Sequence, residues 1–522
     1  MIALNLQAQG ELVQRRPFVA HTGSILGLLL LFTLSWIHQH HYDFEHDDAY
    51  ISYRYAANWA AGLGPVFNVG ERVEGYTNFL HVFALKQCAE LGLDIVQSAR
   101  LIGTLSSFAV IVLSYAFVVR RLQRSWLQAL FVATAVATHA ALATWARSGL
   151  ETVPFTLMVF VAIYVFTGEL ARQGVHLASG ALFGVASLIR ADGFILAIVT
   201  LAFLLLRTRS PKRLGSFALA FALVCGPSLV WRIGYYGYPF PNSYYLKVGG
   251  GIFQQIRGLF YAYNFIEPFG GLALFGLPLT LLLLRDQARN EVRFYLAFIV
   301  LAFTGYVVWV GGDHMPMCRF FVPLVVPLAL LFTESANELG RLCELHRKGS
   351  ARFVLPSLFL VVIASGIAPT LNQRRLPASY VIGHKVLVRQ WAMAGAWLRD
   401  HVAASTLMAT EPAGAVAYLS GLRIVDMLGV NDLHIAHLEV AGMGRHTAGH
   451  EKRDMPYVLS RQPQLIFRGV RPLDEKAGTV TTYEDGSRYR LRCEALGLGP
   501  IADEFGSVKV AELFLWLEER LP

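Results

Sequence analysis

Apolar segments long enough to cross a lipid bilayer recur through the first 370 residues of the chain. About 20 apolar residues suffice for one crossing as a helix. The chain has 55% hydrophobic and only 16% charged residues, which is too apolar for a soluble protein of 522 residues. We therefore predict a polytopic α-helical membrane protein with about 11 transmembrane helices. The apolar runs are 17–37, 97–119, 125–145, 152–167, 176–189, 193–206, 214–231, 268–284, 294–311, 320–335 and 353–370.

Basic clusters follow every second apolar run, which indicates that those connections face the cytoplasm. This placement accounts for the formal charge of +9 and makes a nucleic-acid partner unnecessary. Arg15 and Arg16 before the first run place the N-terminus in the cytoplasm, and no small-residue cleavage site follows, so an uncleaved anchor is favoured over a signal peptide. The clusters are Arg120, Arg121 and Arg124; Arg172; Arg207, Arg209, Lys212 and Arg213; Arg285, Arg289 and Arg293; and Arg341, Arg347, Lys348 and Arg352.

Cytoplasmic and outer connections alternate as the basic clusters require only if residues 79–92 lie along the outer interface as an amphipathic helix. They then belong to one long first loop, 38–96, on the outer side; if they crossed the membrane instead, the basic clusters would face outward. The catalytic membrane domain would comprise residues 1–370, and the tail, 371–522, would form a periplasmic α/β domain. In the tail, 384–402 has helical periodicity, TLMAT and LRIVDML resemble strands, and Glu484-Asp485-Gly486 indicates a hairpin.

Unusual polar residues concentrate in the predicted outer loops, where they meet the membrane surface. Ionisable side chains at that depth are costly, so their presence indicates function. We predict Asp47 and Asp48 as catalytic. Predicted substrate-binding residues are Arg54, Glu74, Tyr76, Asn78, Arg147, Glu151, Arg190, Asp192, Asn242, Tyr244, Lys247, Asp313, His314 and Arg319.

This mixture of side chains suits a lipid-phosphate substrate. Arg binds a phosphate through two parallel hydrogen bonds, and a neighbouring carboxylate accepts a proton from an attacking hydroxyl. Cations also let a phosphate leave without a general acid. A carboxylate base and a phosphate-binding cation together are the minimum set of groups for glycosyl transfer from a lipid-linked donor.

The same loops resemble those of a known family. DDAYISYRYA and GLGPVFNVGERVEGYTN are similar to the first periplasmic loop of GT-C membrane glycosyltransferases, in the branch of the mycobacterial terminal β-(1→2)-arabinofuranosyltransferases. The similarity continues through SGLET, IRADG, YYGYPFPNSYYLK, GGDHMPMCRF, GLRIVDMLGVND and GHEKRDMPYVLSRQP. The resemblance implies an inverting transferase of the cytoplasmic membrane that uses a polyprenyl-phosphate sugar. It assigns the catalytic carboxylate to Asp47 or Asp48, and donor-phosphate contacts to Arg54, Lys247 and Arg319.

Structural roles compete with several of these assignments. Asp47 or Asp48 suits the N-cap of a helix, although two acids exceed what a cap needs. Glu74 suits a solvated loop acid paired with Arg72, and Glu151 is favoured at a helix start by the macrodipole.

Further alternatives concern the later loops. Arg190 and Asp192 suit an ion pair within a helical hairpin, and Asp313 suits a cap. The loop YYGYPFPNSYYLK suits an interfacial aromatic belt. In the tail, His450 and Glu451 order a loop or touch an acceptor.

Cofactor and partner predictions follow from the same chemistry. Metal ligands remain undetermined, with Mg²⁺ or Mn²⁺ as the candidate cation. Predicted partners are a polyprenyl-phosphate-linked sugar, with arabinofuranose before mannose, membrane lipid, and a polysaccharide, glycolipid or exported protein as acceptor. A lipid-linked glycan transporter is the non-enzymatic alternative, but it would place its polar residues at mid-membrane. Five widely spaced cysteines indicate neither disulfides nor structural zinc.

Overall fold

The structure, a computed structural model, describes residues 2–283, 291–346, 349, 351–372, 378–472, 477–502 and 508–522. Each predicted apolar run lies largely in helices within these ranges; position 284 and the basic residues Arg285, Arg289, Arg347 and Lys348 lie outside them. The first part of the chain contains α1 (Ile2–Tyr42), α2 (Asp47–Ala60), α3 (Phe79–Glu90), α4 (Ile95–Arg120), α5 (Trp126–Ala137), α6 (Ala140–Ala146), α7 (Thr152–Ala171), α8 (Leu177–Ile189), α9 (Asp192–Arg207), α10 (Pro211–Tyr236), α11 (Asn242–Lys247), α12 (Gly251–Leu283), α13 (Glu291–Val310), the 3₁₀ helix Pro316–Leu324, α14 (Val325–His346) and α15 (Ala351–Leu371).

Six helices in the described ranges have the length and apolar composition of a membrane span: His21–Tyr42, Ile95–Arg120, Thr152–Ala171, Pro211–Tyr236, Glu291–Val310 and Pro316–Leu345. The pair α5 and α6 adds a seventh if it crosses as one broken span. The predicted count of 11 is therefore not confirmed. One reason is that α8 and α9, with 13 and 16 residues, rise only about 20 and 24 Å along their axes, less than the bilayer core.

The run 125–145, predicted as one helix, is broken in the structure. α5 and α6 meet at an angle of 61°, because His139 has an extended backbone with ψ of 115°. All seven residues of α6 are buried, and Trp145 donates a hydrogen bond from Nε1 to the carbonyl oxygen of Pro316 at 3.1 Å. α6 therefore turns inward, toward the segment that carries Arg319.

The predicted interfacial helix is present as α3, which begins after Asn78. It packs against α2, α4 and α8. Its orientation along a membrane surface stays a prediction.

The tail contains α16 (Ala378–His401), β1 (Leu407–Thr410), α17 (Ala415–Ser420), β2 (Arg423–Asp426), α18 (Leu433–His437), α19 (Met455–Ser460), β3 (Leu465–Arg471), β4 (Val480–Thr482), β5 (Arg488–Ala502) and β6 (Val508–Arg520). The strands form one sheet in the order β2-β1-β3-β6-β5-β4. β1 pairs in parallel with β2 and β3, and the remaining pairs are antiparallel. The predicted helix, both predicted strands and the hairpin between β4 and β5 are all present.

Hydrogen bonds join the first loop to the parallel half of this sheet. Asn68 accepts from the N–H of Ile424 at 3.1 Å and donates to its carbonyl oxygen at 2.8 Å. Tyr55 donates to the side chain of Asn431 at 3.2 Å. Side chains of both regions also contribute to one hydrophobic core. The start of the sheet is thus held against the loop that carries the acidic pair.

Candidate active site

The acidic pair lies in the first turn of α2, and neither acid caps that helix. The N-cap is His46, whose Nδ1 accepts a hydrogen bond from the backbone N–H of Asp48 at 3.1 Å. A backbone N–H can only donate, so Nδ1 carries the lone pair and the ring proton is on Nε2. Burial lowers the pKa of His46 well below its usual value, which keeps the ring neutral. The capping alternative for the two acids is therefore wrong, and His46 has that role.

Asp47 is bound by the tail. Its Oδ1 accepts from the N–H of Ala415 at 2.7 Å, and its Oδ2 accepts from the N–H of Gly414 at 3.1 Å. The residue is buried, with 6% exposure, and burial raises the pKa of its carboxyl to about 7 despite these bonds. Both oxygens of Asp47 are thus engaged.

Asp48 is more open than its neighbour. Its side chain is 39% exposed, and its Oδ1 lies 3.8 Å from Nδ1 of His46. Burial lowers the pKa of Lys247, His314 and His384, and brings that of His314 to about 4. The negative charge of Asp48 opposes each of these shifts. Asp48 is therefore the more accessible carboxylate of the pair, and it lines the same cavity as Lys247, His314 and His384.

A cavity of about 260 Å³ opens beside the acidic pair. Of the residues predicted for the site, it contains Asp47, Asp48, Lys247 and His314. Much of the remaining wall belongs to the tail. The other lining residues are His46, Ile51, His384, Trp391, Glu411, Pro412, Ala413, Asp426, Leu428, Val430, Ala448, Gly449 and His450.

Two arginines and their acidic partners stand close to this cavity. The charges of Arg190, Arg319 and Asp313 all act on the pKa of Lys247, which places the four side chains in one electrostatic cluster. Arg319 binds Asp313 with 3.1 Å between Nε and Oδ2. Arg319 follows two non-glycine residues with positive φ, Met317 at 56° and Cys318 at 48°. Such backbone strain concentrates at functional sites.

Arg190 has a free end. Its Nε lies 2.6 Å from Oδ2 of Asp192, as the hairpin alternative predicted, and the guanidinium stacks over Phe320 at 4.6 Å. The residue is 4% exposed, yet Nη1 and Nη2 have no hydrogen-bond partner among the described residues. Buried donors normally have partners, so these two are suited to an incoming anion.

Glu151 and Asn78 extend the cluster away from the cavity. Glu151 is buried, which raises the pKa of its carboxyl, but the positive charges of Arg319 and Arg190 outweigh burial and lower it overall. Asn78 donates to Oε2 of Glu151 at 2.8 Å and bonds to Ser52. Glu151 thus supports the two arginines.

Arg54 does not bind in the cavity, contrary to the prediction of a phosphate contact. Its guanidinium donates to the carbonyl oxygens of Phe67, Ala417 and Leu422 at 2.7, 2.6 and 2.7 Å. It also donates to Asn68 at 3.4 Å. These bonds use the donors that a phosphate would need.

Glu74 is neither solvated nor paired with Arg72. It is buried and lies 2.7 Å from Nε of Arg232, and burial raises the pKa of its carboxyl to about 7. Arg72 instead stacks over Tyr235. The small cavity beside Glu74 has a volume of about 10 Å³, enough for one water and too small for a sugar.

Four more predicted contacts lie elsewhere in the structure. The Tyr76 hydroxyl is 3.1 Å from that of Tyr236. Asn242 donates to the carbonyl oxygens of Gly429, Val430 and Asp432, which fixes the loop after β2. Arg147 donates to Asp43 at 3.4 Å, and Tyr244 is exposed and stacks on Phe240.

Two histidines of the tail, His384 and His450, complete the cavity wall; the sequence singled out His450 but not His384. His384 stacks on His46 with ring centroids 4.3 Å apart, and His450 meets His314 edge-on at 4.8 Å. His384 lies within an ordinary amphipathic helix, so only the fold reveals its place. Glu451 orders its loop by accepting from the N–H groups of Gly444 and His446.

Metal ions in proteins are held mainly by groups of His, Cys, Asp and Glu side chains. Within the ranges that the structure describes, no three His, Cys, Asp or Glu side chains are placed to hold one ion together. A divalent cation stays a prediction, and we derive no step through a metal.

The fold is similar to that of GT-C glycosyltransferases, as the resemblance in the loops implied. ArnT from Cupriavidus metallidurans bound to undecaprenyl phosphate matches with a TM-score of 0.54 over 95% of this chain and 98% of that chain, at 12% identity. Its apo form gives 0.55 over 78% and 86%, at 14% identity. The archaeal oligosaccharyltransferase AglB from Archaeoglobus fulgidus, in complex with an inhibitory peptide and a dolichol-phosphate, gives 0.50 over 79% and 65%, at 11% identity.

Sequence comparison adds a curated relative. The terminal beta-(1->2)-arabinofuranosyltransferase of Mycobacterium tuberculosis (strain ATCC 25618 / H37Rv) is 26% identical over 370 residues, which cover 67% of this chain. The match spans 56% of that protein's length. A family described as a domain of unknown function (DUF8728) matches residues 382–499, within the tail.

Proposed function

We propose that the protein is a membrane glycosyltransferase that moves a sugar from a polyprenyl-phosphate donor to an acceptor hydroxyl, with Asp48 as the general base. The observation that carries this proposal is the contrast within the acidic pair. Asp47 has both oxygens bound by backbone N–H groups, whereas Asp48 is open to a cavity that it shares with Lys247. A base must reach its proton, and of the acidic pair Asp48 has the more exposed side chain and the carboxylate that binds no backbone N–H of the tail.

The reaction proceeds as one displacement. The acceptor oxygen forms a bond to the anomeric carbon while the Asp48 carboxylate takes its proton. The bond between that carbon and the phosphate oxygen breaks, and its electron pair leaves with the polyprenyl phosphate. Attack opposite to the leaving group inverts the anomeric configuration.

Cations stabilise the departing phosphate. Lys247 lines the cavity, and Arg190 and Arg319 stand close enough for their charges to act on it. Asp192 and Asp313 each bind the Nε edge of one arginine. This arrangement leaves the other guanidinium nitrogens for an added anion, whose developing charge the cations stabilise.

The donor sugar is arabinofuranose in this proposal. The support is the 26% identity to the mycobacterial arabinofuranosyltransferase. A polyprenyl-phosphate hexose such as mannose is the second candidate, because sugar choice depends on pocket shape rather than on the acids and cations. A polysaccharide, a glycolipid or an exported protein is the acceptor.

We also propose that the cavity and the tail lie on the periplasmic side of the cytoplasmic membrane. The support is the pattern of basic clusters, which assigns the opposite connections to the cytoplasm. A polyprenyl-phosphate donor in that membrane then reaches the site from the lipid.

The test uses the purified full chain in proteoliposomes. Radiolabelled polyprenyl-phosphoryl arabinofuranose and polyprenyl-phosphoryl mannose are offered with arabinan, mannan and lipid-linked glycan acceptors. Transfer of arabinose supports the full proposal, and transfer of mannose alone supports the class but replaces the sugar. Passage of intact donor across the bilayer without transfer would favour the transporter alternative.

A further inference from the structure

The short helix α17 of the tail is held at both ends by charged residues of α2. At its N-terminus, the Asp47 carboxylate accepts from the N–H groups of Gly414 and Ala415 at 3.1 and 2.7 Å. At its C-terminal end, the Arg54 guanidinium donates to the carbonyl oxygens of Ala417 and Leu422. The N-terminal bonds use backbone N–H groups that a helix leaves unpaired, whereas the Ala417 carbonyl also accepts from the N–H of Gly421 at 3.3 Å.

The spacing of the two charges matches the length of the helix. Asp47 and Arg54 are seven residues apart on α2, which is about two turns and roughly 10 Å. α17 has six residues, or about 9 Å of helix. A negative group meets the N-terminal end and a positive group the C-terminal end, and both signs suit the helix dipole.

We propose that Asp47 and Arg54 form a clasp on α17 that positions the tail wall of the cavity opposite Asp48. The segment 411–413, immediately before the clasp, lines the cavity. Both carboxylate oxygens of Asp47 and the guanidinium of Arg54 are bound to the protein backbone, so we assign the two side chains a positioning role. This role rests on the proposed function only in so far as Asp48 is the base there.

Gly414 is required on the tail side of the clasp. A Cβ atom at this position would lie 2.1 Å from the carbonyl oxygen of Asp47 and 2.4 Å from its Cγ. Both atoms belong to a buried helix start, so the tail would have to move away. Gly414→Ala therefore opens the clasp without altering any charge.

Hydrogen–deuterium exchange of the full chain in nanodiscs tests the clasp without an activity assay. In Asp47→Asn, one oxygen is lost and an amide donor faces a backbone N–H. We expect exchange in peptides covering 414–424 to accelerate about tenfold or more in Asp47→Asn and in Gly414→Ala. Asp48→Asn should exchange like wild type. Gly383→Ala, where an added Cβ meets no atom within 4 Å, is the matched control in the tail.

Kinetics then separate positioning from chemistry. We expect Asp47→Asn and Gly414→Ala to raise the KM for the acceptor about tenfold while retaining part of kcat, and Asp48→Asn to lose kcat. Unchanged exchange at 414–424 in both clasp variants would overturn the proposal. If wild type transfers no sugar from any donor, the proposed function fails, yet exchange still decides whether the clasp exists.

Discussion

Nε of Arg190 lies 2.6 Å from Oδ2 of Asp192, across the turn that joins α8 to α9. The carboxylate binds one edge of the guanidinium, and the two terminal nitrogens have no partner in the described ranges. A buried cation held in this way is fixed in orientation and ready for a second anion. The ion pair that the hairpin alternative predicted is therefore compatible with a role in phosphate binding.

Arg190→Gln should weaken binding of the lipid donor. The variant loses the charge and one planar pair of donors, so we expect the KM for the polyprenyl-phosphate sugar to rise at least tenfold. Steady-state transfer with varied donor measures this change. Arg209→Gln, at an exposed position, is the control. An unchanged KM in Arg190→Gln would remove Arg190 from the phosphate site.

Gly449→Ala should disturb Lys247. Gly449 has a φ of +81°, and an added Cβ would lie 3.0 Å from Cε of Lys247. The substitution strains the backbone and pushes the lysine side chain, so we expect a severalfold loss of kcat/KM for the donor with little change in thermal stability. Transfer kinetics and a thermal melt of the same preparation give the two numbers. Equal activity in wild type and variant would contradict a role for the lysine in the cavity.

The Glu74–Arg232 pair should behave as a structural ion pair. Arg232→Ala leaves the buried carboxylate without its partner, which typically costs about 3 kcal/mol. We expect a clear fall in the unfolding temperature in detergent. The double variant Glu74→Leu with Arg232→Met removes both charges and should recover most of the loss. Failure of the double variant to recover would indicate that Glu74 has a further partner.

Stability should depend on His314 in acid. Burial, with the charges of Lys247 and His450, lowers the pKa of His314 to about 4. The negative charges of Asp48 and Asp313 oppose this shift. Between about pH 6.5 and 4 the unfolded chain binds a proton that the folded ring does not, so stability falls as the pH decreases through this window. Thermal melts from pH 7 to pH 4 should show a smaller decline for His314→Asn than for wild type. Parallel declines would contradict a neutral His314.

Much of the fold was predictable because apolar runs, turns and strand patterns act locally. The predicted count of 11 spans is not confirmed, since the 13-residue α8 and the 16-residue α9 are apolar yet short for the bilayer. The break at His139 also depends on packing of α6 inside the protein. Apolar composition alone does not decide whether such short helices cross the bilayer.

The site was partly predictable for a similar reason. The acidic pair and Lys247 carry a local signal of unusual chemistry near a membrane. The separation of roles between Asp47 and Asp48 depends on Ala415, 368 residues away in the chain. Arg54 looked equally functional in sequence, and only its contacts with Ala417 and Leu422 reveal that it binds backbone.

The most direct test of the central claim compares Asp48→Asn with wild type in a single turnover on purified polyprenyl-phosphoryl arabinofuranose. Release of polyprenyl phosphate and formation of the glycosidic product are followed together, with folding checked by thermal melt. The account predicts that Asp48→Asn slows both at least a hundredfold at unchanged stability. Transfer by Asp48→Asn at the wild-type rate would contradict this account.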